Sequence, residues 1–500
     1  MSMNRKPSIV FVTVDCLRAD HVGFMGYDRP TTPFLDLLAR ESFVFPAAIV
    51  AGAPTYYSFP AIMASRYPLA LGQDVLGLGP AEPTLASILQ QAGYATASFG
   101  AANPYISARF GYDRGFDTFR DFLEEEPAPL ANESASAGTG WASRLNRKLQ
   151  SILPRSGVLR SAYEQLYFEY CQRVTPVPNS LDALRRFPAA DVIVDEACAW
   201  LKSQGPAPCF LWLHLMDPHS PYYPKEEALA RMGDKSFTPF QARYLNSFWN
   251  RSDLQPEQLS RRRDAIVSLY DAGIRWVDVQ MEELVKALRT MNRWNECIFV
   301  FTADHGEEFL DHGARYHPPS RLMDELIRVP LLLRVPGVTK SEVTKSPFSM
   351  LHLAPTLLDA LELPAPPQFQ GRSHWRELTE DGQFEGVAIS ESIAGCTNPF
   401  RRENRLGPRV LSIRGARFKL VLHCDPPAAE LYDLETDPYE RAPLAPSSQK
   451  QERRRLLEMA REHLAASMAR RNPRTRVEAQ LRDLRLEWKK PAPKPAPLVS

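Results

Sequence analysis

The sequence predicts an α/β fold, with a large, mostly parallel sheet flanked by helices and a smaller C-terminal α+β subdomain. Residues 7 to about 123 alternate short apolar runs with helical patterns, which is typical of a parallel sheet covered by helices. A second continuous apolar run at 298–301 indicates another buried strand. Near the C-terminus, the runs 410–413 and 418–422 predict a β-hairpin, which places a separate small sheet there.

A chain of 500 residues exceeds one ordinary hydrophobic core, so we expect more than one unit. The large domain is predicted over 1–384, with an insertion at about 124–190 where an acidic run gives way to Ala-, Ser- and Gly-rich and then basic sequence. A small β-rich subdomain is predicted over 385–448. Residues 449–500 are expected to form a helical and disordered tail.

The elements between these boundaries follow in order. The first strand is predicted over 9–14 and ends at Asp15. After the insertion we expect a helix at 191–202 and a strand at 209–215. Apolar residues at helical spacing predict a long helix over 261–291, leading into the strand before Asp304.

The composition limits which binding partners and which cellular compartment we expect for this chain. Lys and Arg number 60 and Asp and Glu 59, so no global field favours nucleic acid. The seven Cys are dispersed and odd in number, which fits a reducing compartment. The N-terminus shows no signal-peptide pattern, and no run is long enough to span a bilayer. We therefore expect a cytoplasmic location, no membrane span and no nucleic-acid partner; the oligomeric state stays open.

Two acidic strand ends indicate a metal site. Asp304 and His305 follow the strand at 298–301, and Gly306 allows close backbone approach. Asp15 ends the strand at 9–14. Ligands collect beyond the carboxyl ends of parallel strands, so these side chains are expected to meet. The alternative, that Asp15 and Asp304 only cap the following helices, stays open at this point.

A series of ordered motifs then carries a family resemblance. The chain resembles the sulfatase branch of the alkaline phosphatase superfamily from about residue 7 to 445, which implies an alkaline phosphatase/sulfatase-like fold. In that family, a Cys or Ser nucleophile is followed by any residue, Pro, Ser and Arg, and then by a Thr-Gly-Arg-x-Pro segment. The matching stretches here are Thr55-Tyr-Tyr-Ser58-Phe59-Pro60, Ala64-Ser-Arg-Tyr-Pro68, Gly115-Phe-Asp-Thr-Phe119, Asp217-Pro-His219-Ser-Pro-Tyr222, Arg328-Val-Pro-Leu331 and Glu430-Leu-Tyr-Asp-Leu434.

The departures from that pattern bear on the chemistry. Aligning on Pro68 places Thr55 at the nucleophile position, and Phe59 replaces the family's Arg. Thr is neither Cys nor Ser, so formylglycine formation is not expected. The resemblance instead points to relatives that handle phosphate through a metal-bound threonine. A hydroxyl needs a cation to lose its proton near neutral pH. The alternative is that Thr55 is a loop residue of an inactive homologue.

Two histidines extend the predicted site. His317 stands where sulfatases usually carry a sulfate-binding lysine, and phosphoethanolamine transferases carry a histidine there. His219 and His317 could bind a second metal with Asp217 as a third ligand, since neutral imidazole is a good zinc ligand. The alternative, slightly favoured, is that both contact the substrate's non-bridging oxygens and one protonates the leaving group.

Further residues complete the predicted site. Asn103, His214 and Ser58 are candidates for substrate binding. Cys16 takes the place of the second metal-binding Asp of formylglycine sulfatases, so the site loses one carboxylate. A transition metal, Zn or Mn, is therefore expected at Asp15, Thr55, Asp304 and His305, and Ca is less suited.

Three function classes follow. The first is a metal-dependent hydrolase of small phosphate, phosphonate or sulfate esters, in which Thr55 attacks in line and water releases the intermediate. The second is a transferase that passes the phospho group to an alcohol. The third is a non-catalytic sulfatase-like binding protein. The insertion carries no readable motif, so the sequence does not name the substrate.

Overall fold

The computed structural model describes residues 6–73, 75–123, 158–205, 207–233, 236–338, 343, 345–380 and 382–469. Its strands are β1 (Ser8–Val14), β2 (Phe43–Val44), β3 (Ala48–Ile49), β4 (Ala95–Gly100), β5 (Thr118–Arg120), β6 (Cys209–Leu215), β7 (Cys297–Ala303), β8 (Glu308–Phe309), β9 (Arg315–Tyr316), β10 (Arg328–Val329), β11 (Leu331–Arg334), β12 (Phe348–Ser349), β13 (Ala388–Ile393), β14 (Arg409–Arg414), β15 (Phe418–Cys424) and β16 (Pro427–Asp433).

The helices flank these strands. They are α1 (Pro33–Ala39), α2 (Thr55–Ala64), α3 (Leu85–Gln91), α4 (Val158–Val174), α5 (Ala190–Ser203), α6 (Glu226–Met232), α7 (Pro239–Trp249), α8 (Pro256–Leu259), α9 (Arg263–Thr290), α10 (Asp324–Ile327), α11 (Leu353–Ala360), α12 (Trp375–Glu380) and α13 (Lys450–Ala469). In the part of the chain that the structure describes, none of them has the length and apolar character that crossing a membrane requires.

The large sheet has seven strands in the order β2-β11-β7-β1-β6-β4-β5. Neighbouring strands from β7 to β5 run parallel, and β11 is antiparallel to both of its neighbours. Every residue of β6 and β7 is buried, and so is every residue of β1 except Ser8. Burial on both faces explains why these strands read as continuous apolar runs. The predicted mostly parallel sheet is confirmed.

The small C-terminal sheet is antiparallel in the order β13-β14-β15-β16, and β14 and β15 form the predicted hairpin. Leu456 and Ala460 of α13 share a buried cluster with Leu411, Leu420 and Leu431 of this sheet. The first part of the predicted tail therefore belongs to the core of the small subdomain. Residues 470–500 of that tail and residues 124–157 of the predicted insertion lie outside the described residues.

Buried ionic contacts join the small subdomain to the large one. The Nζ atom of Lys419 on β15 is 2.9 Å from Asp324 Oδ1 and 2.6 Å from Glu440 Oε1. The Nε2 atom of His463 on α13 is 3.0 Å from Glu391 Oε2 on β13, a contact within the small subdomain. A buried charge that loses its partner is costly, so the contact between Lys419 and Asp324 stabilises the packing of the small subdomain on the large one.

Candidate active site

The candidate site lies at the carboxyl edge of the central parallel strands. Asp15 directly follows β1, and Asp304 and His305 directly follow β7. Asn103 comes shortly after β4, and His219 shortly after β6. Because β1 lies between β6 and β7 in the sheet, the loops that follow these strands meet at one edge. The structure thus brings together residues that are far apart in sequence.

Asp15 is the centre of this cluster. Its Oδ2 atom accepts a hydrogen bond from Asn103 Nδ2 at 2.7 Å and lies 3.4 Å from His214 Nε2. Its Oδ1 atom is 3.6 Å from His305 Nε2, and that nitrogen is also 3.6 Å from Asp304 Oδ2. All five side chains are buried. Asp15 and Asp304 therefore face the same imidazole from two strands.

Thr55 is the first residue of α2, and its side chain enters the same cluster. Its Oγ1 atom lies 3.2 Å from His305 Nε2, and the residue is 4% exposed. The amino end of a helix carries a partial positive charge and free N–H groups, which favour an anion beside it. The hydroxyl at the predicted nucleophile position therefore lies beside the paired carboxylates, where a negative substrate group would be stabilised.

The protonation of His305 is fixed by its other nitrogen. Nδ1 is 2.8 Å from the Gly306 carbonyl oxygen, to which it donates, so Nε2 carries a lone pair toward Asp15, Asp304 and Thr55. Burial, with the neighbouring His317, lowers the pKa of His305 to about 3. A neutral imidazole with its lone pair turned into the site is the form that binds a metal.

The two carboxylates have opposite pKa shifts. Burial opposes ionisation of Asp15, but His219, His214 and His305 outweigh it and hold its pKa well below the usual range. Burial and repulsion from Asp15 raise the pKa of Asp304 well above its usual range. Asp304 Oδ2 is buried and has no hydrogen-bond partner. A divalent cation would supply the missing partner and relieve the repulsion, so the residues present fit such an ion.

His317 and His219 lie on the more open side of the cluster. Their ring centroids are 5.4 Å apart, and the His317 ring is 4.8 Å from that of His305. The Nδ1 atom of His317 is 3.3 Å from Glu307 Oε1, and its side chain is 24% exposed. Burial lowers the pKa of His317, but the contact with Glu307 outweighs this and raises it. This imidazole is therefore oriented by a carboxylate and accessible from outside.

Two predicted site residues, Asp217 and Ser58, have other partners. Asp217 Oδ1 is 2.7 Å from Arg185 Nη2 and accepts a hydrogen bond from Ala190 N at 3.3 Å. Ser58 is fully buried, and its hydroxyl donates to the Thr55 carbonyl at 3.1 Å. This hydrogen bond supports the start of α2, so the geometry gives no support to a substrate contact by Ser58.

His214 and Asn103 also act within the protein. The Nδ1 atom of His214 is 3.0 Å from Thr13 Oγ1, and Trp212 Nε1 donates to the same hydroxyl at 3.0 Å. Asn103 Oδ1 accepts from Tyr105 N at 3.0 Å, while its amide nitrogen holds Asp15. Both residues are buried, and the structure places them where they position Asp15. Their predicted contacts with substrate stay predictions.

Potential metal ligands form three overlapping groups at this edge, each with ligand atoms within 4.8 Å of one another. They are Asp15, His214 and Asp304; Asp15, Cys16 and His219; and Cys16, His305 and His317. Asp217 belongs to none of the groups found among the described residues. Sequence reasoning missed Glu307, two positions after His305, and it interpreted Cys16 as the loss of a carboxylate and not as a potential ligand.

Comparisons with known proteins find similar sequences over most of the chain. The sulfatase family model matches residues 7–363, and the model for the C-terminal region of N-sulphoglucosamine sulphohydrolase matches residues 315–467. An arylsulfatase of Clostridium perfringens is 24% identical over 408 residues, covering 75% of this chain and 79% of that protein. An ulvan-active sulfatase of Formosa agariphila is 22% identical over 447 residues, covering 87% of this chain and 76% of that protein.

One solved structure extends the likeness to the fold. The phosphonate monoester hydrolase of Agrobacterium radiobacter has a TM-score of 0.65 and is 20% identical in sequence. The superposition covers 93% of this chain and 96% of that one. The shared fold therefore includes both the large sheet and the small C-terminal sheet.

Proposed function

Since the chain belongs to the sulfatase family and is an ester hydrolase, we propose that it cleaves phosphate or phosphonate esters with Thr55 as the nucleophile. The observation that carries the proposal is the position of the Thr55 hydroxyl, 3.2 Å from His305 Nε2 at the start of α2. The resemblance implies a formylglycine at that position in sulfatases, and threonine cannot be its precursor.

The groups around Thr55 support phosphorus over sulfur as the reacting centre. Phe59, at the place of the family's Arg, is fully buried, with its ring 5.2 Å from that of His214. His317 stands at the place of a sulfate-binding lysine. Two groups that the resemblance assigns to the sulfatase reaction are thus replaced, as is the nucleophile. The fold-level likeness to a phosphonate monoester hydrolase is consistent with this substrate class.

The reaction can be assigned to residues of this chain. Thr55 Oγ1 loses its proton to solvent and forms a bond to phosphorus while the ester P–O bond breaks, and the leaving alkoxide takes a proton to become the alcohol. His219 and His317, on the open side, are placed to contact the non-bridging oxygens and to provide that proton. Water then cleaves the phospho-threonine and restores the hydroxyl. A divalent cation at Asp15, Thr55, Asp304 and His305 would lower the pKa of the hydroxyl and offset the substrate's negative charge.

The test compares matched 4-nitrophenyl esters before and after metal removal. We expect a phosphodiester or phenylphosphonate ester to have a higher kcat/KM than the sulfate ester, by several kcal/mol in transition-state stabilisation. Chelation should abolish turnover, and zinc or manganese should restore it. Faster turnover of the sulfate ester would contradict the assigned substrate class. Full activity of the metal-free protein would contradict the role of the cation.

A further inference from the structure

Cys16 has an unusual backbone conformation at the centre of the site. It follows Asp15 at the end of β1, is fully buried, and has φ 60°. A residue other than glycine is uncommon in this left-handed region, and such positions are maintained only when their surroundings hold them. Tyr270 of α9 does so, because its hydroxyl donates to the Cys16 carbonyl at 2.7 Å and accepts from Arg18 N at 2.9 Å.

This conformation turns the thiol toward the groups that face the site. The Cys16 thiol donates a hydrogen bond to Asp15 Oδ1 at 3.0 Å, and its Sγ atom lies 3.5 Å from His317 Nδ1. It also belongs to a group with His305 whose ligand atoms lie within 4.8 Å of one another. The sulfur is therefore beside the atoms that would hold a cation, and it is not packed away in the apolar core.

The separations between these atoms are close to those around a shared ion. Ligands of a tetrahedral zinc ion, with bonds of about 2.0–2.3 Å, stand about 3.3–3.8 Å from one another. His305 Nε2 is 3.6 Å from each of Asp15 Oδ1 and Asp304 Oδ2, within that range. Cys16 Sγ is 3.0 Å from Asp15 Oδ1, which is shorter because the thiol donates a hydrogen bond there, and an ion that replaced the thiol proton would widen this separation.

The charge around the thiol also calls for a cation. Asp304 Oδ2 and Glu307 Oε2 are both buried without a hydrogen-bond partner. A cation beside these oxygens would offset their charge, and a thiol that coordinates such an ion is deprotonated.

We propose that Cys16 is a thiolate ligand of the cation held by Asp15, Thr55, Asp304 and His305, and that it makes the site selective for thiophilic ions such as Zn²⁺ or Co²⁺ over Mg²⁺ and Ca²⁺. Soft thiolate ligands select zinc and similar metals, whereas Mg²⁺ and Ca²⁺ take oxygen ligands. The inference rests on the cation of the proposed function and adds its chemical class and one further ligand. His219 and His317 stay free to face the substrate.

Cobalt substitution tests the sulfur ligand directly. The full-length protein is stripped of metal and titrated with one equivalent of Co²⁺, and the near-ultraviolet absorption is recorded. We expect a thiolate-to-Co²⁺ charge-transfer band in the wild type that is lost in Cys16→Ser. Cys198→Ser, which changes a half-buried thiol on α5, is the matched control and should keep the band.

Competition binding then measures the preference of the site for Zn²⁺ over Mg²⁺ and Ca²⁺. Cys16→Ser should weaken Zn²⁺ binding by about 10–100-fold, the scale of losing one interaction at a metal site, and leave Mg²⁺ binding nearly unchanged. Cys16→Asp should shift preference toward Mg²⁺ or Ca²⁺, and it also serves if the Ser variant does not fold, as judged by circular dichroism.

The outcomes separate the two proposals. If Co²⁺ binds in an Asp304-dependent way without a charge-transfer band, or if the band persists in Cys16→Ser, the thiolate ligand is overturned and the cation site stands. If no cation binds, or binding and hydrolysis are both unaffected by Asp304→Asn, the cation of the proposed function is overturned as well.

Discussion

Replacing the Thr55 hydroxyl is the most direct challenge to the proposed chemistry. Thr55→Ala removes the oxygen that lies 3.2 Å from His305 Nε2, without removing any of the carboxylates. We expect kcat/KM for a 4-nitrophenyl phosphodiester to fall by at least about 10³-fold, the scale of losing a covalent nucleophile. At 1.36 kcal/mol for each factor of ten, this corresponds to about 4 kcal/mol of transition-state stabilisation.

The structure also supplies two graded controls. Thr55→Ser keeps a hydroxyl in place, so part of the activity should remain, and the loss of a buried methyl group should lower the free energy of unfolding by about 1 kcal/mol. Ser58→Ala removes a hydroxyl that donates only to the Thr55 carbonyl within α2 and should cost less than Thr55→Ala. Melting temperatures of all three variants would show that each is folded.

The assay has a second, independent readout. Wild-type protein quenched in acid during turnover should yield a phosphorylated peptide, and mass spectrometry should place the phosphate on Thr55. A phosphate on Ser58, or Thr55→Ala activity above that of Ser58→Ala, would refute the register that assigns the nucleophile. A fully active Thr55→Ala enzyme would refute nucleophilic catalysis by this residue altogether.

Two predictions concern histidine–glutamate pairs outside the candidate site. His312 Nδ1 is 2.6 Å from Glu325 Oε1, which together with Glu440 raises the pKa of His312 to about 9. The ion pair therefore stabilises the folded protein fully below about pH 6.5, and this stabilisation is lost as the pH rises through 9. In urea titrations, His312→Gln should lower the free energy of unfolding by about 1 kcal/mol at pH 6 and by almost nothing at pH 10. His463→Ala removes a hydrogen bond to the fully buried Glu391 and should cost about 2 kcal/mol, part of which Glu391→Gln in the same chain should recover. Equal losses of unfolding free energy at pH 6 and pH 10 would contradict the first interpretation. A Glu391→Gln change that lowers the stability of His463→Ala further would contradict the second.

The sequence predicted most of the sheet because its central strands are buried on both faces. The strands β1, β6 and β7 then read as continuous apolar runs, and the polar residues that follow them stand out. Asp15, Asp304 and His305 were identified in this way, from their position at strand ends. Thr55 required a motif, because nothing in its local sequence marks it as reactive.

Other features depend on contacts that local sequence does not encode. The left-handed conformation of Cys16 depends on Tyr270, which is 254 positions away in the chain. The orientation of His317 depends on Glu307, and that contact forms only because the intervening segment turns back through β8 and β9. A strand-end motif predicts which residues come near the site, whereas side-chain direction is decided by partners from other elements.

Asp217 shows how such partners bear on the two roles considered for the histidines. The motif places Asp217 two residues before His219, so the sequence predicts that both could bind a second metal. In the folded protein, Arg185 binds Asp217 Oδ1, and Ala190 N donates to the same oxygen. Turning that oxygen toward His219 would leave the Arg185 guanidinium without this partner in a largely buried position. Asp217 also belongs to none of the ligand groups found among the described residues. The geometry therefore gives no support to Asp217 as a third ligand, and substrate contact by His219 and His317 stays part of the proposal.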